Sequence, residues 1–194
     1  MNRMGLKDKN FVILDTETTG LSPHRGARLI EVAALRIRDG VIDERDCYSE
    51  LINPERPIPI FITRLTGIST RMVRNARTVD RVLPDFLDFL KDDILVIQNA
   101  PFDLSFLDHH AMDIGLSPVK NDFIDTISLS RSLFRGRHNL DTILARLDIL
   151  PENRHRALGD VLATARAFLK MSYMIGEENI GSFVRKRYRL YQRK

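Results

Sequence analysis

Asp15 and Glu17 in FVILDTETTG, Asp103 in QNAPFD, and His155 with Asp160 in HRALGD are the residues of this chain whose types and order best suit chemistry. Four carboxylates can hold two hard divalent cations, which prefer oxygen donors. An imidazole beside them can take a proton from water, because that ring exchanges protons near neutral pH. Together they form the donor set for phosphodiester hydrolysis by a pair of metal ions. Each piece alone is ordinary. An Asp-x-Glu pair also occurs in solvated turns, and an Asp after a Pro suits the first turn of a helix. The order of the set, not any single member, carries the reading.

Asp15 and Glu17 lie at i and i+2 at the end of an apolar run, Phe11–Leu14, that reads as a buried strand. Strand side chains alternate faces with period two, so both carboxylates project the same way and repel unless a cation lies between them. Thr18-Thr19-Gly20 follows as a turn whose hydroxyls and N–H groups suit phosphate or a terminal hydroxyl. His155 precedes Asp160 by five residues, ahead of the last long helix.

The elements that must position these groups follow from pattern. Leu29–Ile37 reads as a strand and stops at Asp39-Gly40, a hairpin signal, and Val41–Ile52 returns. Asn53-Pro54 and the stretch around Pro57 and Pro59 read as loop. Helical spacing spans Thr78–Lys91, strand Asp93–Ile97, helix Phe102–Ile114, a short strand Phe123–Ile124, and helices from Thr126, over Leu140–Leu147 and over Ala157–Met171. Hairpins followed by alternating strands and helices predict an α/β domain with a mixed sheet, antiparallel first and parallel later.

With 194 residues the chain suits one domain with a full core. Its 43% hydrophobic and 29% charged composition is that of a globular protein. Cys47 is the single cysteine, so no internal disulfide forms; it reads as a small apolar strand residue. No apolar run nears the roughly 18 residues of a membrane span, and MNRMGLKDKN lacks a signal-peptide core, so the expected location is the cytoplasm without membrane contact. The net charge of +4 is concentrated at one end. Arg185, Lys186, Arg187, Arg189, Arg193 and Lys194 fall among the last residues with no acid, interleaved with Tyr188 and Tyr191. That segment reads either as a grip on a phosphate backbone or as a solvated or partly disordered tail. The basic stretch Arg71–Arg77 reads as a solvated face.

On these motifs the sequence resembles the DEDDh (DnaQ-like) 3′–5′ exonucleases. That family includes the proofreading epsilon subunit of bacterial DNA polymerase III, RNase T and oligoribonuclease. DTETTG at 15–20, NAPFD at 99–103 and HRALGD at 155–160 are similar to its three motifs in order. LIEVAAL, LTGIS, DTISLSR and NLDTILARL support them, over about Phe11 to Met171. The resemblance implies an RNase H-like fold with a mixed five-stranded sheet flanked by helices. It divides the chain into an N-terminal extension (1–10), an exonuclease domain (11–175) and a basic C-terminal tail (176–194). It implies two Mg²⁺ or Mn²⁺ ions held by Asp15, Glu17, Asp103 and Asp160, His155 as base, and release of nucleoside 5′-monophosphates. Substrate contacts fall by the same resemblance to Thr18, Thr19, Leu21, Leu65, Thr66, Asn99 and Phe102. Implied partners are single-stranded DNA or RNA 3′ ends, with DNA favoured, and a DNA polymerase is a candidate, the chain being a monomer or homodimer. One position departs: Gln98 stands where the family usually has His before Asn99. Two other readings stay open: a nucleic-acid-binding or polymerase-associated accessory with weak nuclease, and an RNA or oligoribonucleotide end-trimmer.

Overall fold

The structure, a computed structural model, describes residues 4–187. In chain order its elements are β1 (Phe11–Thr18), β2 (Leu29–Arg38), β3 (Val41–Leu51), α1 (Ile60–Thr66), α2 (Thr70–Val73), α3 (Val79–Leu90), β4 (Ile94–Ile97), α4 (Ala100–Asp113), β5 (Phe123–Asp125), α5 (Thr126–Leu133), α6 (Leu140–Arg146) and α7 (Ala157–Ile175). The five strands form one sheet in the order β3-β2-β1-β4-β5. The β1–β2 and β2–β3 pairs are antiparallel, and β1–β4 and β4–β5 are parallel. This is the expected α/β class and mixed sheet.

Alternation along β1 decides what each layer buries. Phe11 and Ile13 point to one face, into a core with Leu35, Val96, Ile143, Val161 and Phe168. Val12 and Leu14 point to the other, into a core with Leu83, Phe86, Leu104 and Phe106. So α7 and α6 cover one face of the sheet, and α3 and α4 cover the other. Burial of whole side chains such as Phe11 and Phe168, whose ring centroids lie 5.2 Å apart, contributes about 1.5–3 kcal/mol each.

Several sequence expectations are revised. β1 does not stop at Leu14: it continues to Thr18, so both Asp15 and Glu17 lie inside the strand. The stretch after Pro59, to which the sequence pattern assigned no element, holds two short helices. Ile60–Thr66 and Thr70–Val73 are helical, and they bury Ile62, Ile68 and Val73 in a small third core with Ile30 and Ile58. Cys47 lies in β3 as expected but is exposed. Arg36, in the middle of the apolar β2 pattern, is 2% exposed. It is held by Asp46 and Asp93 at 2.8 Å and by the Phe89 carbonyl.

The C-terminal segment packs on the domain as far as it is described. Ile180 is buried, and Arg185 pairs by both backbone groups with Phe123 at the start of β5. Lys186 is ion-paired to Asp122, and Arg187, 5% exposed, to Asp108. Lys186 and Arg187 are thus spent on acids of the domain, at the end of the sheet away from Asp15. Tyr188, Arg189, Tyr191, Arg193 and Lys194 lie outside the described residues.

Candidate active site

The sheet parity that buries Phe11 and Ile13 against α7 also determines where the acids go. Asp15 and Glu17 continue that face beyond the last apolar residue, and Asp160 in the first turn of α7 meets them there. Each of the three offers a carboxylate oxygen within 4.8 Å of those of the other two. Thr16, of opposite parity, faces α4. Its N–H and hydroxyl donate to Asp103 Oδ1 at 3.0 and 2.8 Å. Asp103 therefore stands beside the cluster, 2% exposed, fixed by the residue between the two β1 acids.

Burial and mutual repulsion raise the proton affinity of these acids. Burial, then the Asp103 and Glu17 charges, hold the Asp15 carboxyl well above the usual range. Burial, then the Glu31 and Asp103 charges, push Glu17 up to about 7. Burial pushes Asp103 up to about 7 against the hydrogen bonds from Thr16. Clustered acids that resist ionisation without added positive charge suit hard divalent cations, whose oxygen-rich coordination this donor set matches.

Two salt-bridged groups build the site. Glu31, 2% exposed, faces Glu17 across the β1–β2 register. It accepts from Arg156 Nη2 at 2.7 Å and from the Ala157 N–H at 2.9 Å. Since α7 has no side-chain cap of its own, Glu31 supplies an acceptor for one of its free amides. Arg154 reaches Asp160 and Asp141. Sequence reasoning assigned no role to Glu31, Arg154 or Arg156; the visible signal was a single acid inside the apolar LIEVAAL.

His155 lies in the turn before α7, partly exposed, with φ of +61°. It makes no hydrogen bond or ion pair among the described residues. Asn99 adopts the left-handed conformation at the start of α4, φ +65°, which Asn tolerates better than most residues. Its N–H donates to Asp125 Oδ1, which also caps α5 through Ile127 N. Gln98 is directed away from the acids: Nε2 donates to the His138 carbonyl at 2.9 Å and Oε1 accepts from Thr126.

The residues expected at the substrate divide into two groups. Leu21 is 88% exposed and Leu65 53%, so neither is ordinary core. Asn99 is exposed, and Phe102 is half-buried against Phe106, ring centroids 5.1 Å apart. Thr18, Thr19 and Thr66 are buried and engaged. Thr18 donates to the Gly20 carbonyl, Thr19 accepts from Arg28 N, and Thr66 bridges Ile62 O and Ile68 N. These hydroxyls shape the turns that present the exposed leucines.

The acid cluster thus stands at the carboxyl ends of β1 and β4, flanked by α4 and α7. The family model described as "Exonuclease", RNase_T, matches residues 12–168, and the chain belongs to that family. It is similar to "DNA polymerase III subunit epsilon" of Rickettsia felis, 35% identical over 83% of this chain and 73% of that protein. It is also similar to "DNA polymerase III PolC-type" of Caldanaerobacter subterraneus, 41% identical over 89% of this chain. The chain spans only 12% of that polymerase's length. Among solved structures, the nuclease domain of 3′hExo, a DEDDh family member bound to rAMP, superposes with a TM-score of 0.76. It is 21% identical and matches over 88% of this chain and 94% of that one. No helix among the described residues is long and apolar enough to cross a membrane.

Proposed function

We propose that this domain is a two-metal 3′–5′ exonuclease that removes nucleoside 5′-monophosphates from single-stranded 3′ ends, with DNA the preferred substrate. The convergence of Asp15, Glu17 and Asp160 carries the reading. Asp15, Glu17 and Asp160 would hold divalent cations directly, with Asp103 beside them. Mg²⁺ or Mn²⁺, when bound, would neutralise the charge that grows on the phosphate and favour ionisation of the attacking water. His155 accepts the proton of that water. Leu21 and Leu65 present bare apolar surface to the terminal bases, which suits a sequence-tolerant enzyme because every base has a stacking face. Asn99 and Phe102 flank the terminal nucleotide from the α4 side. DNA and a polymerase partner are favoured because relatives covering most of this chain bear DNA polymerase III names.

A gel assay tests it: 5′-labelled single-stranded DNA and matched RNA, in Mg²⁺ and then Mn²⁺, with EDTA and Asp15→Ala as controls. A ladder shortening from the 3′ end, absent in both controls and faster on DNA, is expected. Unchanged cleavage by Asp15→Ala would sink the assignment, and a faster RNA ladder would transfer it to end-trimming of RNA.

A further inference from the structure

The acid cluster has a resident cation. Arg154 lies in the turn between α6 and α7, one residue before His155. Its Nη1 donates to Asp160, while Nε and Nη2 approach Asp141 Oδ1 at 2.9 and 2.8 Å. Asp160 is nearly buried and Asp141, on α6, is 65% exposed, so one guanidinium spans an acid of the cluster and an acid at the surface. Its charge also opposes the upward shifts of Asp15 and Glu17. The turn is tightly specified. Asn153 and His155, on either side of Arg154, both have positive φ, a conformation that persists only where the surroundings hold it.

A divalent cation and a guanidinium compete for the same Asp160 oxygen. The planar fork of Arg can give up one carboxylate and keep two donors on another. We propose that Arg154 is a positioning residue that exchanges partners: it neutralises Asp160 until a divalent cation binds there, then stays paired to Asp141 alone. This rests on the two-metal reading of the acids above.

The test is calorimetric titration of Mn²⁺ into the full chain without nucleic acid, for wild type, Arg154→Ala, Asp141→Asn and the double variant. Arg154→Ala is expected to bind Mn²⁺ about fivefold tighter or more. Asp141→Asn binds it more weakly, because Arg154 then has nowhere else to go. In the double variant that weakening disappears, since it acts through Arg154. Arg154→Lys, which keeps the charge but cannot span both acids, is expected like Asp141→Asn to bind Mn²⁺ more weakly than wild type, and decides the matter if Arg154→Ala does not fold. Melting in EDTA and in Mn²⁺ separates a structural role: Arg154→Ala lowers the midpoint in EDTA only, whereas a merely structural arginine lowers both. Mn²⁺ bound equally by all forms, or an Asp141→Asn effect undiminished in the Arg154→Ala background, overturns the inference alone. No Mn²⁺ bound by any form overturns the two-metal reading with it.

Discussion

At the scale of single residues, the cluster is a store of protons as well as of charge. Glu17 and Asp103 hold protons up to about pH 7, and Asp15 holds its proton well above the usual range. A cation that requires the ionised forms must displace those protons. Mn²⁺ binding is therefore expected to tighten as pH rises from 5 to 8 and to release protons near pH 6.5. Calorimetry in buffers of different ionisation heat checks it; a pH-independent affinity with no buffer dependence would refute it. Gln98 belongs to the same scale. Its amide is bonded to Thr126 and the His138 carbonyl, so the departure from the family's usual histidine alters how β4 and α5 are tied together, not the acid set.

At the scale of elements, the decisive contact is between the turn before α7 and the helix it precedes. A Cβ on Gly159 would lie 2.2 Å from the Asn153 carbonyl oxygen and 2.6 Å from that of Glu152. The turn bearing Arg154 and His155 lies on bare helix backbone. Gly159→Ala forces it back by about 1 Å, and a misplacement of that size at a reacting group costs about 100-fold in rate. The expected outcome is a kcat loss of that order with the fold retained by circular dichroism. A variant with wild-type kcat would show that the turn's seating is irrelevant to turnover. Parity is the other device at this scale. One alternating strand delivers Asp15 and Glu17 to α7 and Thr16 to Asp103 on α4, so two helices on opposite faces converge on one end of the central strand.

For the molecule as a whole, the acids place a pH-dependent load on stability. Between about pH 4 and 7 the native state keeps protons on Glu17 and Asp103 that the unfolded chain has released, so unfolding free energy falls as pH rises through that window. The melting midpoint in EDTA should drop from pH 5 to pH 8, Mn²⁺ should restore it, and Glu17→Gln should recover about 2 kcal/mol at pH 8. A midpoint that rises across this range in EDTA would contradict the assignment of these shifts. The last described residues act on stability too. Arg187 is buried on Asp108 and donates through Nε to the Val119 carbonyl at 3.0 Å. Arg187→Ala should cost about 3 kcal/mol while leaving the salt dependence of cleavage unchanged, because this arginine lies at the far end of the sheet. A shallower salt slope would assign it to the substrate instead.

The sequence by itself determined the alternation of apolar residues, hence the sheet, its two cores and the common face of Asp15 and Glu17. Those are local periodicities, which a strand or helix expresses wherever it lies. It also held the order of the motifs, on which the family rests. Tertiary structure alone decided the rest. Glu31 caps α7 from 126 residues away in the chain. Arg154 lies against the acids, Arg185 pairs with β5 through its backbone, and Arg187 turns inward onto Asp108 of α4 instead of outward to solvent. Long-range ion pairs leave no periodic trace, because which charge finds which depends on the distances that folding creates.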